Sequence, residues 1–459
     1  MNFRNIIIYG AGASGVLIKQ LFDKKSVNVV AFIDDNIKLN TRALVGTKII
    51  HSKLLNEDFI YQNSVDAIVV SNIYIHINKS SYLTKFNLPI LLPKDVSEWE
   101  DGYISNLDIS KVDSSFIINR EISEGIDSDS INKLKNNKIL ITGAAGSIGS
   151  EITRQLDKLS QISLILLDID ESGLHDLFNS LENKDECSFH VCDVSNFEEL
   201  ERVIKSHVNI DKVFHAAAYK HVPIVEINPY PAIRVNIIGT LNLCNLVNKY
   251  SIENFTLIST DKAVNPANIM GASKRCAEII TAHFNLNYDF LFRCTRFGNV
   301  IGSRGSVLPI FIEQIKNGGP ITLTHNEITR YFMTIPEASQ LVIKSSVLEN
   351  KNGIFLFDMG EPVKLIEIIN NLKIYFNAND VEIQYIGLRK GEKMYEELSR
   401  CQEDLKTTLD KKISIIDSKI PTKKVVNKIL KFIKEYNNLT IQEIKVNLKK
   451  IIPEFEYET

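Results

Sequence analysis

The chain has 459 residues, 53 basic against 56 acidic side chains, a formal net charge of −3 and 44% hydrophobic residues. This length allows two or three globular units, the composition is that of a soluble globular protein, and the near-neutral balance argues against nucleic acid as the main partner. No apolar stretch approaches the roughly 18 residues of a membrane span, and the start carries no secretory signal, because the run Ile6 to Tyr9 is short and lacks a cleavage site. Six cysteines show no CxxC pair and no regular spacing, so neither a disulfide framework nor a metal site is suggested. A reduced, cytoplasmic protein is expected.

The strand-like run Ile6 to Tyr9 leads into a glycine loop, Gly10-Ala11-Gly12-Ala13-Ser14-Gly15. A helix-like segment follows, then the strand Val29 to Ile33 ending in Asp34-Asp35, and further on the strand-like run Ala67 to Val70. Strand, glycine turn, helix, strand and acid are the parts of a βαβ mononucleotide unit. Residues 95–134 hold few apolar runs and many Ser, Asp and Asn, and are expected to form a linker. The arrangement then recurs: the strand Lys138 to Ile141, the loop Thr142-Gly143-Ala144-Ala145-Gly146-Ser147-Ile148-Gly149, a helix starting near Ser150, and the strand Leu164 to Leu167 ending at Asp168. Alternating strands and helices continue to about residue 300, as a doubly wound parallel sheet requires. From Thr422 on, apolar residues at 425, 426, 429, 432 and 433 predict an amphipathic helix with lysines between them, most simply a surface helix packed on its domain. The fold class is therefore α/β, with two tandem Rossmann-like doubly wound sheets in residues 1–94 and 135–459.

A glycine loop between strand and helix exposes backbone N–H groups at a positive helix end, which suits a pyrophosphate. Asp168, 25 residues past Gly143, is placed to accept from adenosine ribose hydroxyls and to repel a 2′-phosphate, so NAD is favoured over NADP. Gly143, Gly146, Ser147, Ile148, Gly149, Asp168, the strand-end pair Asp193 and Val194, and Ala216 and Ala217 are the candidate cofactor contacts. For the first loop, with Asp34 or Asp35 in the acid position, binding of a nucleotide or nucleotide sugar and a purely structural or oligomerising role are equally open.

Beyond the strand Asn254 to Ile258 stand Ser259-Thr260-Asp261-Lys262, then Met270 and Lys274, four apart and on one face of a helix. Upstream lie His215-Ala216-Ala217-Ala218-Tyr219-Lys220 and Asn236. TGxxGxxG, HAAA, a strand-terminal Ser/Thr and a helical xxxxK resemble the extended short-chain dehydrogenase/reductases. The motifs STDKAVNPxNxMGASKR, RFGNVxGSRGSVxPxF, LTxxxxTRYFMTIPEA and LRKGEKMYEEL, in order within about residues 135–400, more closely resemble the polysaccharide-biosynthesis UDP-N-acetylglucosamine 4,6-dehydratases. The N-terminal unit resembles the extra domain of that family's long, usually membrane-anchored members, and the chain departs from them in lacking transmembrane helices.

The superfamily's usual active-site tyrosine is replaced here by Met270, whose thioether is neither acid nor base. The resemblance implies that such long members are active and retain the C5 configuration, whereas the tyrosine-containing short members invert it. Dehydration across C5 and C6 of a hexose becomes feasible once C4 is a ketone, because the C5 proton is then acidic. Three proton tasks follow: deprotonating the C4 hydroxyl, abstracting the C5 proton and protonating the C6 leaving group. Lys262 is the candidate C5 base, which requires a neutral amine and a lowered pKa, with Lys274 as the cation that lowers it and as a nicotinamide-ribose ligand. Asp261 is the candidate acid at C6 and the acceptor of the C4 proton, with Thr260 on the C4 oxygen. The resemblance places Asn299, Arg330, Arg389 and Glu392 on the UDP moiety, within a substrate-binding part spanning mainly 296–400, and Lys220 and Asn236 are further candidates near the sugar. An arginine fork suits a diphosphate. His215 and His221 are expected to be structural. The expected partner is UDP-N-acetylglucosamine, and the superfamily habit is a homo-oligomer formed through helices of the NAD domain. The rivals are a C5-inverting dehydratase, a UDP-sugar 4-epimerase, and a non-catalytic NAD- or nucleotide-sugar-sensing scaffold.

Overall fold

The computed structural model describes residues 4–12, 27–40, 42–71, 82–91, 125–159, 161–288, 290–348, 353–376, 380–400, 405–416 and 422–457, with isolated residues such as Gly15, Lys79 and Glu403 between them. Two compact units result, one of residues 1–119 with 369–381 and one of residues 120–368 with 382–459. Most of the expected linker, residues 95–124, and Ala13 and Ser14 of the first loop lie outside the described residues.

In the first unit the strand Asn5–Tyr9 lies between Asn28–Asp34 and Ala67–Val70, all parallel, with Thr47–His51 and Ile90–Leu91 continuing the parallel sheet and Ala43–Leu44 adding an antiparallel edge. Ile6, Ile8 and Phe32 pack on one face and Ile7, Tyr9 and Ile33 on the other. Asp34, not Asp35, takes the strand-end acid position, accepting from Ala11 N–H at 2.9 Å and Asn36 N–H at 2.8 Å. Asp35 is engaged by Tyr9 at 2.9 Å, Ser52 at 2.5 Å and Lys79 at 3.0 Å.

The second unit is built on a nine-stranded sheet. Its seven parallel strands run in the order Cys187–Val191, Ser163–Asp168, Lys138–Thr142, Lys212–His215, Asn254–Ile258, Leu291–Arg296 and Ile354–Phe357. Ile413–Ile416 and Leu405–Thr407 extend it antiparallel. Both faces are covered, which is why the strands read as continuous apolar runs: Leu140, Val213 and Leu257 enter one core cluster, and Ile139, Ile141 and Phe214 the other. Burying each such side chain stabilises the fold by about 1.5–3 kcal/mol.

The chain leaves Lys138–Thr142 on one side of the sheet and returns on the other at Lys212–His215, so a topological switch point opens beside the second glycine loop. That is where ligands bind in such sheets. The helix there begins at Ser147, earlier than the sequence suggested, with Gly146 as its N-cap. The expected linker ends in a helix, Ser128–Leu134, because Asp127 caps the Ser130 N–H at 2.9 Å and Leu134 is buried in the core of this unit. The C-terminal helix Lys423–Glu435 buries Val426, Ile429 and Phe432 against the same unit, as its apolar spacing predicts. Among the described residues, no helix is long and apolar enough to cross a membrane.

Candidate active site

Gly143 turns the chain out of the central strand with φ +68°, and a Cβ there would lie 2.5 Å from the Ala217 nitrogen, so only glycine lets the two loops close. At Gly149 a Cβ would meet the Gly143 carbonyl at 2.1 Å, which lets the helix start directly under the turn. The Asp168 carboxylate is pinned at the rim by Ala145 N–H at 2.9 Å and Asp170 N–H at 3.0 Å. Gly143, Gly146, Asp168, Asp193, Ala216 and Ala217 line a cavity of about 240 Å³, and Val194 lines it too. Asp193 holds Ser195 through N–H and Oγ contacts of 2.8 and 2.7 Å. Seven of the expected cofactor contacts thus share one cradle, whose N–H groups and strand-end carboxylate fit the pyrophosphate and ribose of a dinucleotide, whereas Ser147, Ile148, Gly149 and Lys274 are not among its lining residues.

Past the strand Asn254–Ile258, Thr260 caps a short turn and places Asp261 and Lys262 side by side. The Thr260 hydroxyl donates to Asp261 Oδ1 at 2.8 Å, and Lys262 Nζ donates to the same oxygen at 3.0 Å and to Asn299 Oδ1 at 3.0 Å. Asp261 is fully buried, and its Oδ2, which has no hydrogen-bond partner among the described residues, lies beside Gly298. Lys262 also faces Glu396 at 3.5 Å; Glu396 faces Arg330 at 3.8 Å, and Arg330 reaches Glu392 at 3.3 Å. Charges therefore alternate along a chain of five side chains.

That chain corrects the expected protonation of Lys262. Burial pulls its ammonium down, but Asp261 and Glu396 outweigh burial and the opposing Arg330, and the net shift is upward. Among these neighbours Lys262 is a cation. Of Lys262 and Lys274, the lowered one is Lys274, brought to about 8 by burial, with Cys294 and Glu278 only partly offsetting it. Met270 is buried in the apolar core beside Ile269 and Ala272, in keeping with an inert thioether.

Asn236, expected at the sugar, is instead fully buried, and its amide is consumed within the fold. It accepts from Tyr219 N–H at 2.9 Å and donates to Tyr219 C=O at 3.0 Å and Ser273 Oγ at 2.8 Å. It therefore braces the loop bearing Lys220, from a π-helical stretch, Ile233–Gly239. Lys220 donates to Ser303 Oγ at 3.3 Å, and its pKa is lowered by burial. Arg330 also donates to the Thr329 and Met394 carbonyls at 2.7 and 3.3 Å, and Glu392 accepts from Thr324 Oγ1 at 3.3 Å and Arg389 N–H at 3.1 Å. Arg389 itself is exposed. His215 is enclosed between Thr142 at 2.7 Å and Thr240 at 3.1 Å, and burial holds it neutral, so it is structural as expected. The His221 ring packs against Gly305.

Sequence reasoning missed Glu396 and a buried ionic cluster beneath the motif. Glu278 accepts from Ser259 Oγ at 2.7 Å, from Arg296 Nε and Nη2 at 3.1 and 2.8 Å, and from Arg275 at 2.9 Å. Arg296 continues to Glu403 at 3.1 Å, and Arg400 bridges to Glu454. The available signal was a lone acid inside the apolar helical run Cys276-Ala277-Glu278-Ile279-Ile280, since a buried carboxylate needs a partner.

A sequence model of the polysaccharide biosynthesis protein family matches residues 139–418, and one of the C2185-like N-terminal family matches residues 2–82. The chain is similar to the probable polysaccharide biosynthesis protein EpsC of Bacillus subtilis, 36% identical over 96% of this chain and 75% of that one. It is also similar to a UDP-glucose 4-epimerase of Rickettsia bellii, 36% identical over 58% of this chain and 78% of that one. The dTDP-glucose 4,6-dehydratase DesIV of Streptomyces venezuelae, solved with NAD bound, shares the fold at TM-score 0.52 and 20% identity, covering 57% of this chain and 88% of that one.

Proposed function

We propose that this chain, which belongs to the polysaccharide biosynthesis protein family, is an NAD-dependent UDP-N-acetylglucosamine 4,6-dehydratase that retains the C5 configuration. The observation that carries this reading is the Thr260-Asp261-Lys262 cluster at a strand end of the switch-point sheet, with Met270 inert in the core. An epimerase needs no acid–base pair serving C5 and C6. The cradle at Gly143 and Asp168 supports NAD, as does the NAD-bound state of the similarly folded DesIV.

When bound, NAD supplies an acceptor for the C4 hydride and returns it at C6. The residues of this chain manage the protons. Asp261 Oδ1 is reached by the Thr260 hydroxyl while Oδ2 is buried, so the C4 hydroxyl proton passes to Asp261 through Thr260. Neutralising Asp261 removes the nearest anion that stabilises the Lys262 ammonium, and burial and Arg330 then favour the free amine. Lys262, part-exposed, releases its proton to solvent and takes the C5 proton. Asp261 gives its own, through the same Thr260 hydroxyl, to the departing C6 hydroxyl, which leaves as water. Lys262 then returns a proton to C5 from the face it took one, which retains the configuration, and recovers its own from solvent. Asn299, Arg330, Arg389 and Glu392 would hold the UDP moiety, and Lys220 the sugar.

The test is UDP-N-acetylglucosamine with purified protein in D₂O, without added reductant, followed by proton NMR. A 4-keto-6-deoxy product deuterated at C5 with its original configuration is expected. An inverted C5 refutes the retention, a C4 epimer refutes the dehydration, and bound NAD without turnover points to the sensing scaffold.

A further inference from the structure

The cofactor cradle is strongly acidic on its own. Asp168, Asp170 and Asp193 all line the cavity, and among its described lining residues the one cation is Arg304. A dinucleotide brings a doubly charged pyrophosphate into the same space. The glycine-loop N–H groups offset part of that charge, but three carboxylates oppose it.

Arg304 does not come from the cofactor half of the sheet. It lies in the segment that follows Asn299–Ile301, where Asn299 touches Lys262 and Ser303 touches Lys220. Its backbone N–H donates to Ser147 Oγ at 3.1 Å, which places the residue at the first position of the helix under the glycine loop. Its guanidinium reaches Asp170 at 3.2 Å across an exposed pair, with the arginine side chain 65% accessible. Exposed pairs of this kind contribute little to stability, so the fold does not require Arg304 to stay on Asp170.

We propose that Arg304 is a cofactor-phosphate ligand that leaves Asp170 for the dinucleotide pyrophosphate on binding. This rests on the NAD-binding assignment of the cradle. A guanidinium presents a planar pair of donors that fits two phosphate oxygens. Because the same short segment carries Ser303 and follows Asn299, the occupied cofactor site also fixes the strand end that faces Lys262.

Calorimetric titration of NAD, ADP and adenosine into the full chain, freed of co-purified nucleotide, tests this. Arg304→Gln is expected to weaken ADP and NAD about tenfold or more, the scale of a charge-assisted hydrogen bond, and to leave adenosine and the unfolding midpoint unchanged. Asp170→Asn keeps the helix cap that Asp170 makes to Gly173 at 2.9 Å and frees Arg304, so ADP affinity is expected to rise. Equal ADP affinity in wild type and Arg304→Gln overturns the proposal, as does an Asp170→Asn variant weakened as much as Arg304→Gln, since both would follow from a merely structural bridge. Failure of the wild-type chain to bind either nucleotide would instead overturn the cofactor assignment itself.

Discussion

Glu278 allows a quantitative test of how the turn at Ser259 to Lys262 is held. Its carboxylate is buried and accepts from Ser259 and from Arg275 and Arg296, and these contacts bring its pKa from 4.5 to about 2 despite burial, which alone would raise it. At 1.36 kcal/mol per pH unit, that depression corresponds to about 3 kcal/mol of folding stability. Removing one partner of a buried ion pair costs about 3–5 kcal/mol when the remaining charge is left unpaired; Arg296 keeps Glu403 at 3.1 Å, so the lower end of that range applies. Glu278→Gln keeps the shape and the capacity to accept from Ser259, but leaves Arg296 with Glu403 alone as its counter-charge among the described residues.

The pH dependence follows from the sign of the shift. The folded-state value lies below the unfolded one, so the contribution is complete above about pH 5 and is lost as pH falls toward 2. Urea unfolding of Glu278→Gln should therefore show a deficit against wild type of about 3 kcal/mol at pH 7 that shrinks to about 1 kcal/mol by pH 3, at unchanged m-value. Because Ser259 precedes Thr260, kcat should fall more than KM rises. A deficit under about 1 kcal/mol at pH 7, or one that does not narrow with acid, would refute the argument.

Lys274→Met should abolish NAD binding yet raise stability. The Lys274 pKa is lowered from 10.5 to about 8, so the folded state carries its desolvation cost below pH 8 and loses it as pH rises toward 10.5; the gain over wild type, up to about 3 kcal/mol, should fade across that window in denaturation curves. Gly149→Ala drives a Cβ to 2.1 Å from the Gly143 carbonyl and should lose NAD binding by calorimetry while the far-UV spectrum is kept. Asp261→Asn should give no NADH absorbance at 340 nm on mixing with UDP-N-acetylglucosamine; a variant that still forms NADH would remove Asp261 from the first step.

The strands and both glycine loops were legible because their signals are local: doubly buried strands read as apolar runs, and a tight turn under a helix leaves only glycine at Gly143 and Gly149. Thr260, Asp261 and Lys262 were legible as a run at a strand end. Their protonation was not. The Lys262 ammonium depends on Glu396, more than a hundred residues away in sequence and 3.5 Å away in space, and spacing carries no record of that approach. Asn236 misled for the same reason: an amide in a helix reads as a reaching side chain until Tyr219 and Ser273 are seen to consume it. The helix at Ser128–Leu134 was hidden by composition, since most of its Ser, Asp and Asn residues face solvent and it buries only Ser130, bonded to the capping Asp127, and Leu134.

The two glycine units show what such local geometry can and cannot decide. In the first, Gly10 N–H donates to the Ile33 carbonyl at 2.7 Å and Ala11 N–H to Asp34 at 2.9 Å; in the second, Ala144 N–H donates to the Leu167 carbonyl at 3.0 Å and Ala145 N–H to Asp168 at 2.9 Å. A strand-end carboxylate that satisfies the loop's own N–H groups is thus a requirement of the turn, met in both units whatever either binds. Function is set by what faces that carboxylate. Beside Asp34 the neighbouring acid is consumed by Tyr9, Ser52 and Lys79 in holding its own unit together. Beside Asp168 the neighbouring Asp170 holds an exposed arginine from the segment that follows Asn299, the residue in contact with Lys262. That second arrangement joins the cofactor cradle to the reaction centre, and it is the stronger ground for reading the second loop as the functional one.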